Sequence, residues 1–164
     1  MPELPISSAV RLAWQLAGDF ALRCGENAIQ PKALLCGICS VEKAVSAGRI
    51  PAQTPAAAER LRTESQQLTE LAQRHSIDLA DVRREIRAAS PVWKSSPSEE
   101  LAVSRAPEVK KIFDRAEDIA RGNGLAEMDL LSLVRALLES SDEVVAAVLE
   151  TSMQGMLHDL CRSS

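Results

Sequence analysis

Aromatic residues are nearly absent from this chain of 164 residues. It contains no tyrosine, two phenylalanines and two tryptophans, so aromatics make up 2% of the sequence although hydrophobic residues make up 46%. The core must therefore be built mainly from alanine, leucine, valine and isoleucine. Small aliphatic side chains favour closely packed helices, which predicts an all-α protein.

The chain also lacks the excess of positive charge that is typical of nucleic-acid-binding proteins. Its formal net charge is −4 and its pI is about 5.3. Arginines such as Arg60, Arg62, Arg83 and Arg84 are interleaved with acidic residues along the sequence. Because no basic field is available to attract a phosphate backbone, we expect no nucleic-acid partner.

Long apolar runs and a secretion signal are missing as well. The longest apolar runs, such as residues 33–36, are far shorter than the ~20 residues that span a bilayer. Residues 1–5 provide neither a basic segment nor an apolar one. We therefore expect a cytoplasmic protein with no membrane partner, whose four cysteines are reduced.

The sequence contains no motif for phosphate binding or nucleophilic catalysis. The loop Gly-x-x-x-x-Gly-Lys-Ser/Thr does not occur, so this chain is not itself an ATPase. Neither His75 nor His158 has a Gly-x-Ser-x-Gly elbow beside it. The acidic pairs at 99–100 and 142–143 follow serines at predicted helix starts, where acids are favoured by the helix dipole. We predict no enzyme, no catalytic residue and no cofactor.

The residues that are present follow a helical pattern from the beginning of the chain. Apolar side chains recur every three or four positions over residues 10–24, after an N-cap at Ser7 or Ser8 and before a stop at Gly25. Pro31 is a favoured first residue of a helix and begins the second one. The two helices should form a hairpin.

Two further helices are predicted before a break in the pattern. Thr54 is the N-cap of a helix that reaches about His75, and Asp78 can cap a fourth helix. The segment 91–105 then reads as a linker rich in serine and proline. Within it, residues 96–99 match a capping box and allow a short extra helix.

The opening pattern returns after this linker in the same register. Eleven positions between 10 and 38 each match a position that lies 99 residues further along the chain, as Val10 matches Val109 and Gly25 matches Gly124. The register is kept across a loop, which chance rarely provides. The sequence therefore predicts two copies of one helical unit.

These observations give the domain organisation. The first unit comprises residues 7–90 and the second residues 106–162, joined by the linker into one compact domain. The second unit should also contain four helices, since residues 140–143 match a capping box that opens a third helix and a fourth follows near Leu157. About eight helices in two units of four are predicted.

The repeated unit resembles the N-terminal repeat domain of the Clp ATPases, ring-shaped unfoldases that feed proteases or remodel protein assemblies. In that repeat a helix with spaced alanines ends near a glycine, and a loop with one aliphatic residue leads into a Leu-Leu helix. The matching residues are Ala17, Ala21, Gly25, Ile29, Leu34 and Leu35, and again Ala116, Ala120, Gly124, Met128, Leu133 and Val134.

The resemblance extends from Ser7 to about Leu160, nearly the whole chain, and it implies a role as well as a fold. It implies a non-catalytic chaperone-type module that docks a protein substrate segment or an adaptor protein and presents it to an AAA+ ATPase. That motor would be a further partner, and it could be an ATPase module covalently linked to this one in a longer protein.

Two glutamates of the family pattern are missing. Many members have Gly-Thr-Glu-His ahead of the Leu-Leu helix, and Lys32 and Leu131 occupy the glutamate positions here. Where the family uses those acids to recognise phosphorylated arginine, this chain should not, because lysine and leucine cannot neutralise a guanidinium. Trp93 lies in the linker, where an aromatic side chain either folds back or contacts a partner. Lys32, Leu131 and Trp93 are therefore the candidate partner-binding residues, near an apolar groove between the units or beside the first helix of one.

Two alternative functions stay open at this point. A stand-alone regulator would occupy a partner's surface without a linked motor. A thiol or zinc protein would use Cys36 and Cys39, but this pair lies inside a helix, and the nearest further ligands, Cys24 and His75, form no second pair. We predict no metal site. Cys39 aligns with a leucine and should be buried, whereas Cys36 aligns with Arg135 and could be exposed.

Overall fold

The computed structural model describes residues 3–90, 104–140, 142–149 and 152–162, and these ranges contain eight helices. They are α1 (Ser8–Arg23), α2 (Pro31–Ser46), α3 (Pro55–Arg74), α4 (Leu79–Ala88), α5 (Pro107–Gly122), α6 (Leu130–Glu139), α7 (Glu143–Leu149) and α8 (Ser152–Arg162). Two short strands, β1 (Ala28–Ile29) and β2 (Ser104–Arg105), were not predicted, because two residues are too few to show periodicity. Within these ranges, no helix combines the length and the apolar character that crossing a membrane requires.

Local cap residues define the helix boundaries as the sequence predicted. The side-chain oxygens of Ser7, Thr54 and Asp78 each accept a hydrogen bond from a backbone N–H in the first turn of α1, α3 and α4. Gly25 and Gly124 follow α1 and α5 with φ angles of 73° and 70°. Glycine adopts this left-handed conformation without steric cost, so both predicted stops are confirmed.

Helix α7 begins in a different way from the predicted capping box. Asp142 is its cap, and its carboxylate accepts hydrogen bonds from the N–H groups of Val144 and Val145, each at 3.0 Å. Ser140 instead ends α6, and its hydroxyl donates to the carbonyl of Leu137 at 2.6 Å. A carboxylate is favoured over a neutral hydroxyl at the positive end of a helix, which explains the shift of the cap. The short helix expected at 96–99 lies outside the described residues.

One hydrophobic core runs through both units. The hairpins α1–α2 and α5–α6 lie at its centre, α3 and α4 pack on the first hairpin, and α8 packs on the second. Helix α7 contacts α2 and α4 of the first unit. Many of the largest buried side chains lie in α1, α2, α3 and α6, for example Leu12, Leu34, Ile38, Leu68, Leu133 and Leu137.

The two units exchange backbone contacts reciprocally. Ile29, in the loop of the first unit, pairs in parallel with Arg105, which lies just before α5. Ile6, just before α1, pairs in parallel with Met128 in the loop of the second unit. The residue after Ile6 donates its N–H to the Met128 carbonyl at 3.0 Å, and the residue after Arg105 donates to the Ile29 carbonyl at 3.1 Å. Because both pairings join equivalent positions, an approximate twofold axis relates the units.

Candidate protein-docking site

A cleft opens on the second unit between the end of α5, the loop that follows it and the start of α6. Its volume is about 260 Å³. It is lined by Ile119, Asn123, Leu125, Asp129, Leu131, Ser132, Arg135 and Leu160. We call it the Leu125–Leu131 cleft. It lies beside the first helix of one unit, one of the two positions in which the sequence predicted a groove.

Apolar side chains form the mouth and the floor of this cleft. Leu125 is 36% exposed, and Leu131 is partly buried beside it. Ile119 and Leu160 are buried beneath them. Full burial of an exposed leucine from a partner contributes roughly 1.5–3 kcal/mol, so a partner side chain that fills the cleft gains stabilisation here.

The charged groups at the rim are bonded within the protein. Asp129 caps α6, and its carboxylate accepts from the N–H of Ser132 at 2.9 Å. Arg135 donates to Glu139 at 3.0 Å, and Arg115 donates to the other oxygen of the same carboxylate at 2.6 Å. Burial acts to raise the pKa of Glu139, but the hydrogen bonds from the two arginines outweigh it and lower that pKa. The rim therefore holds a compensated charge cluster, and the accessible recognition groups are the apolar side chains and the exposed amide of Asn123.

The equivalent place in the first unit has the opposite chemistry. Glu26 and Lys32 lie 99 positions before Leu125 and Leu131. The Lys32 ammonium lies 2.7 Å from the Glu26 carboxylate, and the two side chains are 25% and 24% exposed. An ion pair thus occupies in the first unit the place that two leucines occupy in the second. Of the predicted partner-binding residues, Lys32 and Leu131 take corresponding positions, and Trp93 lies outside the described residues.

The cysteine pair in α2 is enclosed by the fold. Cys39 is buried, as its alignment with a leucine predicted, but Cys36 is buried too, so an exposed position for it is wrong. The reason is that α4 packs against α2, whereas Arg135, which aligns with Cys36, remains partly exposed and bonded to Glu139. Burial raises the pKa of Cys36 to about 11 and that of Cys39 to about 12, which disfavours the reactive thiolate. The described residues include no cluster of three or more side chains suited to holding a metal ion.

The histidines occupy the positions expected for residues at helix ends and surfaces. His75 follows the last residue of α3, and its Nε2 atom lies 2.9 Å from a carboxylate oxygen of Asp159 on α8. This contact helps to join the two units and, with a second contact from Arg74, lowers the pKa of Asp159. His158 is exposed. Neither histidine has a serine or cysteine nucleophile as a hydrogen-bond partner in these contacts.

The sequence analysis missed Glu64, a buried charge between the units. Glu64 is 8% exposed, and one of its carboxylate oxygens accepts from the Ser7 hydroxyl at 2.9 Å and from the Leu130 N–H at 2.7 Å. Burial raises the pKa of Glu64 to about 7, although both hydrogen bonds act to lower it. The sequence feature that indicates its burial is its spacing. Glu64 lies three residues after Leu61 and four before Leu68, on the apolar stripe of α3.

Solved structures share this architecture at low sequence identity. No protein-family model matches the sequence, and no curated protein matches it. A structure from preliminary structural investigations of a malarial protein secretion system aligns with a TM-score of 0.66 and 16% identity, over 96% of this chain and 93% of that one. The Hsp104 N-terminal domain from Candida albicans gives a TM-score of 0.63 and 12% identity, over 95% and 89% of the two chains.

A third similar structure is the N-terminal domain of ClpD, a caseinolytic protease-associated chaperone from Arabidopsis thaliana. It aligns with a TM-score of 0.62 and 12% identity, over 96% of this chain and 93% of that one. These identities establish the fold alone. The chain has the all-α fold of Clp and Hsp104 N-terminal domains, as the residues of its repeat predicted.

Proposed function

We propose that this chain is a protein-binding module that docks a substrate segment or an adaptor for a Clp-type AAA+ unfoldase and performs no chemistry of its own. The observation that carries the proposal is the Leu125–Leu131 cleft, an exposed apolar recess with a charge-compensated rim. The shared fold supports it, since the similar structures include N-terminal domains of Hsp104 and of a protease-associated chaperone. All four cysteines are unpaired, which fits the reducing cytoplasm that we propose as its location.

The cleft suits one apolar side chain of a peptide. A leucine or similar residue would enter between Leu125 and Leu131 and rest on Ile119, while the rest of the peptide runs over the end of α5. One side chain contributes roughly 1.5–3 kcal/mol, and association of two molecules costs an estimated 4 kcal/mol or more. The contacts of the rest of the peptide with α5 must supply the difference, so binding through this cleft should be weak and readily reversible. That suits a module that must release what it docks.

The first unit should contribute little to this interaction. A peptide that entered there would have to separate the Glu26–Lys32 ion pair and leave two partly buried charges without their partner. The two units, although built alike, would then have different tasks. The Leu125–Leu131 cleft takes the apolar residue, and its counterpart is closed by the protein's own side chains.

Fluorescence anisotropy with two labelled peptides tests the proposal. One peptide carries spaced leucines, and the other has serine in their place. We expect the leucine peptide to bind and the serine peptide to fail. The double variant L125D/L131D should weaken binding about tenfold, because each aspartate places a charge in the apolar mouth.

The matched control is E26A/K32A, which changes the equivalent positions of the first unit and leaves the net charge unchanged. It should bind the leucine peptide as the wild type does. Binding that survives L125D/L131D, or that is lost equally in E26A/K32A, would contradict the assignment of the cleft. Trp93→Asp, measured with the same peptide, tests whether Trp93 contributes a second contact, as its place in the linker suggested.

A further inference from the structure

Helix α4 separates its charges onto different faces, although acids and bases alternate along its sequence. At 3.6 residues per turn, Arg83, Arg84 and Arg87 fall on one side of the helix. Asp81 and Glu85 fall on a second side, and the third carries the buried apolar residues. Acids and arginines that alternate along the sequence therefore lie on different faces of the folded helix, so their alternation does not exclude a basic surface.

The arginine face of α4 lies opposite α2, across a groove. The α4 residues in the groove are Ala80, Arg83, Arg84 and Arg87; opposite them lie Ser40, Lys43 and Ala44 of α2 and its C-cap residue Ala47. Both sets follow the same three- and four-residue spacing, so two straight helical stripes form the walls. Leu16 of α1 and Arg49 complete the lining, and the volume is about 510 Å³. We call this the basic groove.

Five cationic side chains line the basic groove in a protein whose net charge is −4. Arg49 lies 3.5 Å from Asp19, and both side chains are about half exposed. Arg84 pairs with Asp81 of its own helix. Lys43 and Arg83 form no ion pair with any side chain in the described ranges. The groove therefore retains a surplus of positive charge after its internal pairs are counted.

Helix stability explains only part of this cluster. Lys43 and Arg87 lie in the last turns of α2 and α4, where the helix dipole favours cations. Arg83 and Arg84 lie a turn earlier in α4, and Arg49 lies beyond the end of α2. Arg83 also lines a neighbouring cleft that contains the acidic side chains Glu42 and Asp78. Helix capping therefore does not require Arg49, Arg83 or Arg84 at their positions.

We propose that the basic groove binds an acidic peptide segment of a partner protein. Guanidinium groups bind carboxylates through two parallel hydrogen bonds, which gives glutamate- or aspartate-rich segments a geometric match. The alanine and serine side chains along the walls leave room for a peptide backbone between the arginines. Nucleic acid fits less well, because none of the described residues that line the groove is aromatic and able to stack on a base.

The basic groove is separate from the Leu125–Leu131 cleft. It is built from α1, α2 and α4 of the first unit, whereas the cleft is built from α5, α6 and α8 of the second. The inference therefore does not rest on the function proposed for the cleft. A partner that carries an acidic segment and a separate apolar residue could contact both sites.

Anisotropy with a labelled glutamate-rich peptide tests the basic groove, with a serine-rich peptide of the same length as the reference. We expect the acidic peptide to bind and its affinity to fall as salt is raised. The variant R83E/R87E should weaken this binding by about tenfold or more, since two attractions become repulsions. R83A/R87A should show a smaller loss, and circular dichroism should show that both variants keep their helices.

The matched control is R62E/K110E, which makes the same change of net charge at exposed positions of α3 and α5. It should leave binding of the acidic peptide within about twofold of the wild type, because charges farther than a Debye length are screened. Equal loss in both charge-reversed variants would overturn the proposal, since it would show a general charge effect. Equal binding of the acidic and serine-rich peptides would overturn it as well.

Two further outcomes separate this proposal from other possibilities. A single-stranded DNA of similar charge that binds more tightly than the acidic peptide, and is lost in R83E/R87E, would assign the groove to nucleic acid instead. L125D/L131D should leave binding of the acidic peptide unchanged, which supports an independent site. If L125D/L131D abolished it, an independent basic site would be wrong.

Discussion

Trp14 and Phe113 meet edge to face across the two units, with ring centroids 5.5 Å apart and ring planes at 85°. They are equivalent residues, 99 positions apart in the sequence. Residues that are equivalent in two copies and touch each other lie at the axis that relates the copies. The guanidinium of Arg105 lies 4.6 Å from the Phe113 ring and 5.2 Å from the Trp14 ring, so a cation joins the aromatic pair. This cluster holds the two units together at the axis.

The ring contacts of Phe113 should therefore add to the stability of the fold beyond what the burial of a side chain of its size provides. Phe113 is 4% exposed, and Phe113→Ala should lower the free energy of unfolding by roughly 3 kcal/mol through the cavity it leaves. Phe113→Leu keeps an apolar side chain but removes both ring contacts, and should cost about 1 kcal/mol. Urea denaturation followed by circular dichroism measures both values. A leucine variant as stable as the wild type would show that the ring contacts contribute nothing.

Helices α1 and α2 approach each other most closely at Gly37. A Cβ atom at Gly37 would lie 2.3 Å from the carbonyl oxygen of Ala13 and 2.8 Å from the amide nitrogen of Ala17. Backbone atoms cannot move aside as a flexible side chain can, so the helices would have to separate. We expect Gly37→Ala to lower the free energy of unfolding by about 3 kcal/mol.

Gly18 provides the matched control for this substitution. It also lies inside a helix, but the nearest atom to an added Cβ would be a side-chain carbon of Ile29 at an ordinary 3.8 Å. Gly18→Ala should raise the free energy of unfolding by roughly 0.5–1 kcal/mol, because alanine has the higher helix propensity. Denaturation curves of the two variants should shift in opposite directions. Equal stabilisation by both would contradict close packing at Gly37.

The sequence predicted the helices well because their determinants are local. Caps such as Thr54, stops such as Gly25 and the apolar stripes each act within a few residues. The 99-residue offset showed that two units exist, but a repeat in sequence does not say how its copies face each other. The contact of Trp14 with Phe113 therefore required the structure.

The features of the candidate sites were hidden for a related physical reason. Nothing in the sequence marks Gly37 as a site of close packing, because close approach depends on a partner helix. Glu64 drew no attention as a charged residue in a helix, although its spacing places it on the apolar stripe of α3. The arginines of α4 were judged by their order along the chain rather than by their angle around the helix. A charge in a helix has to be assigned to a face before its role can be inferred.

Glu64 should make stability depend on pH in the neutral range. Burial raises its pKa to about 7 in the folded protein, above its usual 4.5, so the folded state binds more protons than the unfolded state between these values. Stability should therefore fall as pH rises from about 5 to about 7, the opposite of an ordinary paired carboxylate. Glu64→Gln removes the ionisation while its amide oxygen can still accept from Ser7 and Leu130.

We expect Glu64→Gln to be more stable than the wild type at pH 8 by about 2 kcal/mol, and nearly equal to it at pH 5. Urea midpoints measured across this pH range give the slope of stability against pH directly. Glu70→Gln changes an exposed carboxylate on the same helix and should leave the slope as it is in the wild type. If wild-type stability rose between pH 5 and pH 7, or if Glu64→Gln left its pH dependence unaltered, Glu64 would be ionised in the folded protein and this prediction would be wrong.

Thiol titration should find one reactive cysteine among four. Cys161 is exposed, whereas Cys24, Cys36 and Cys39 are buried and have raised pKa values. With a pKa of about 11 rather than 9.0, Cys36 forms a thiolate roughly a hundredfold less often, and closed packing slows it further. A disulfide reagent should therefore label one thiol quickly under native conditions and all four after unfolding.

Cys161→Ser identifies that thiol, since it should remove the fast phase and leave the slow phase as in the wild type. The same experiment decides between the docking module and the thiol or zinc alternative. Fast labelling of Cys36 in Cys161→Ser, or its suppression by added zinc, would mean that α4 opens from α2 and frees the cysteine pair. Because α4 forms one wall of the basic groove, such opening would also lower the affinity for the acidic peptide, and the two measurements would change together.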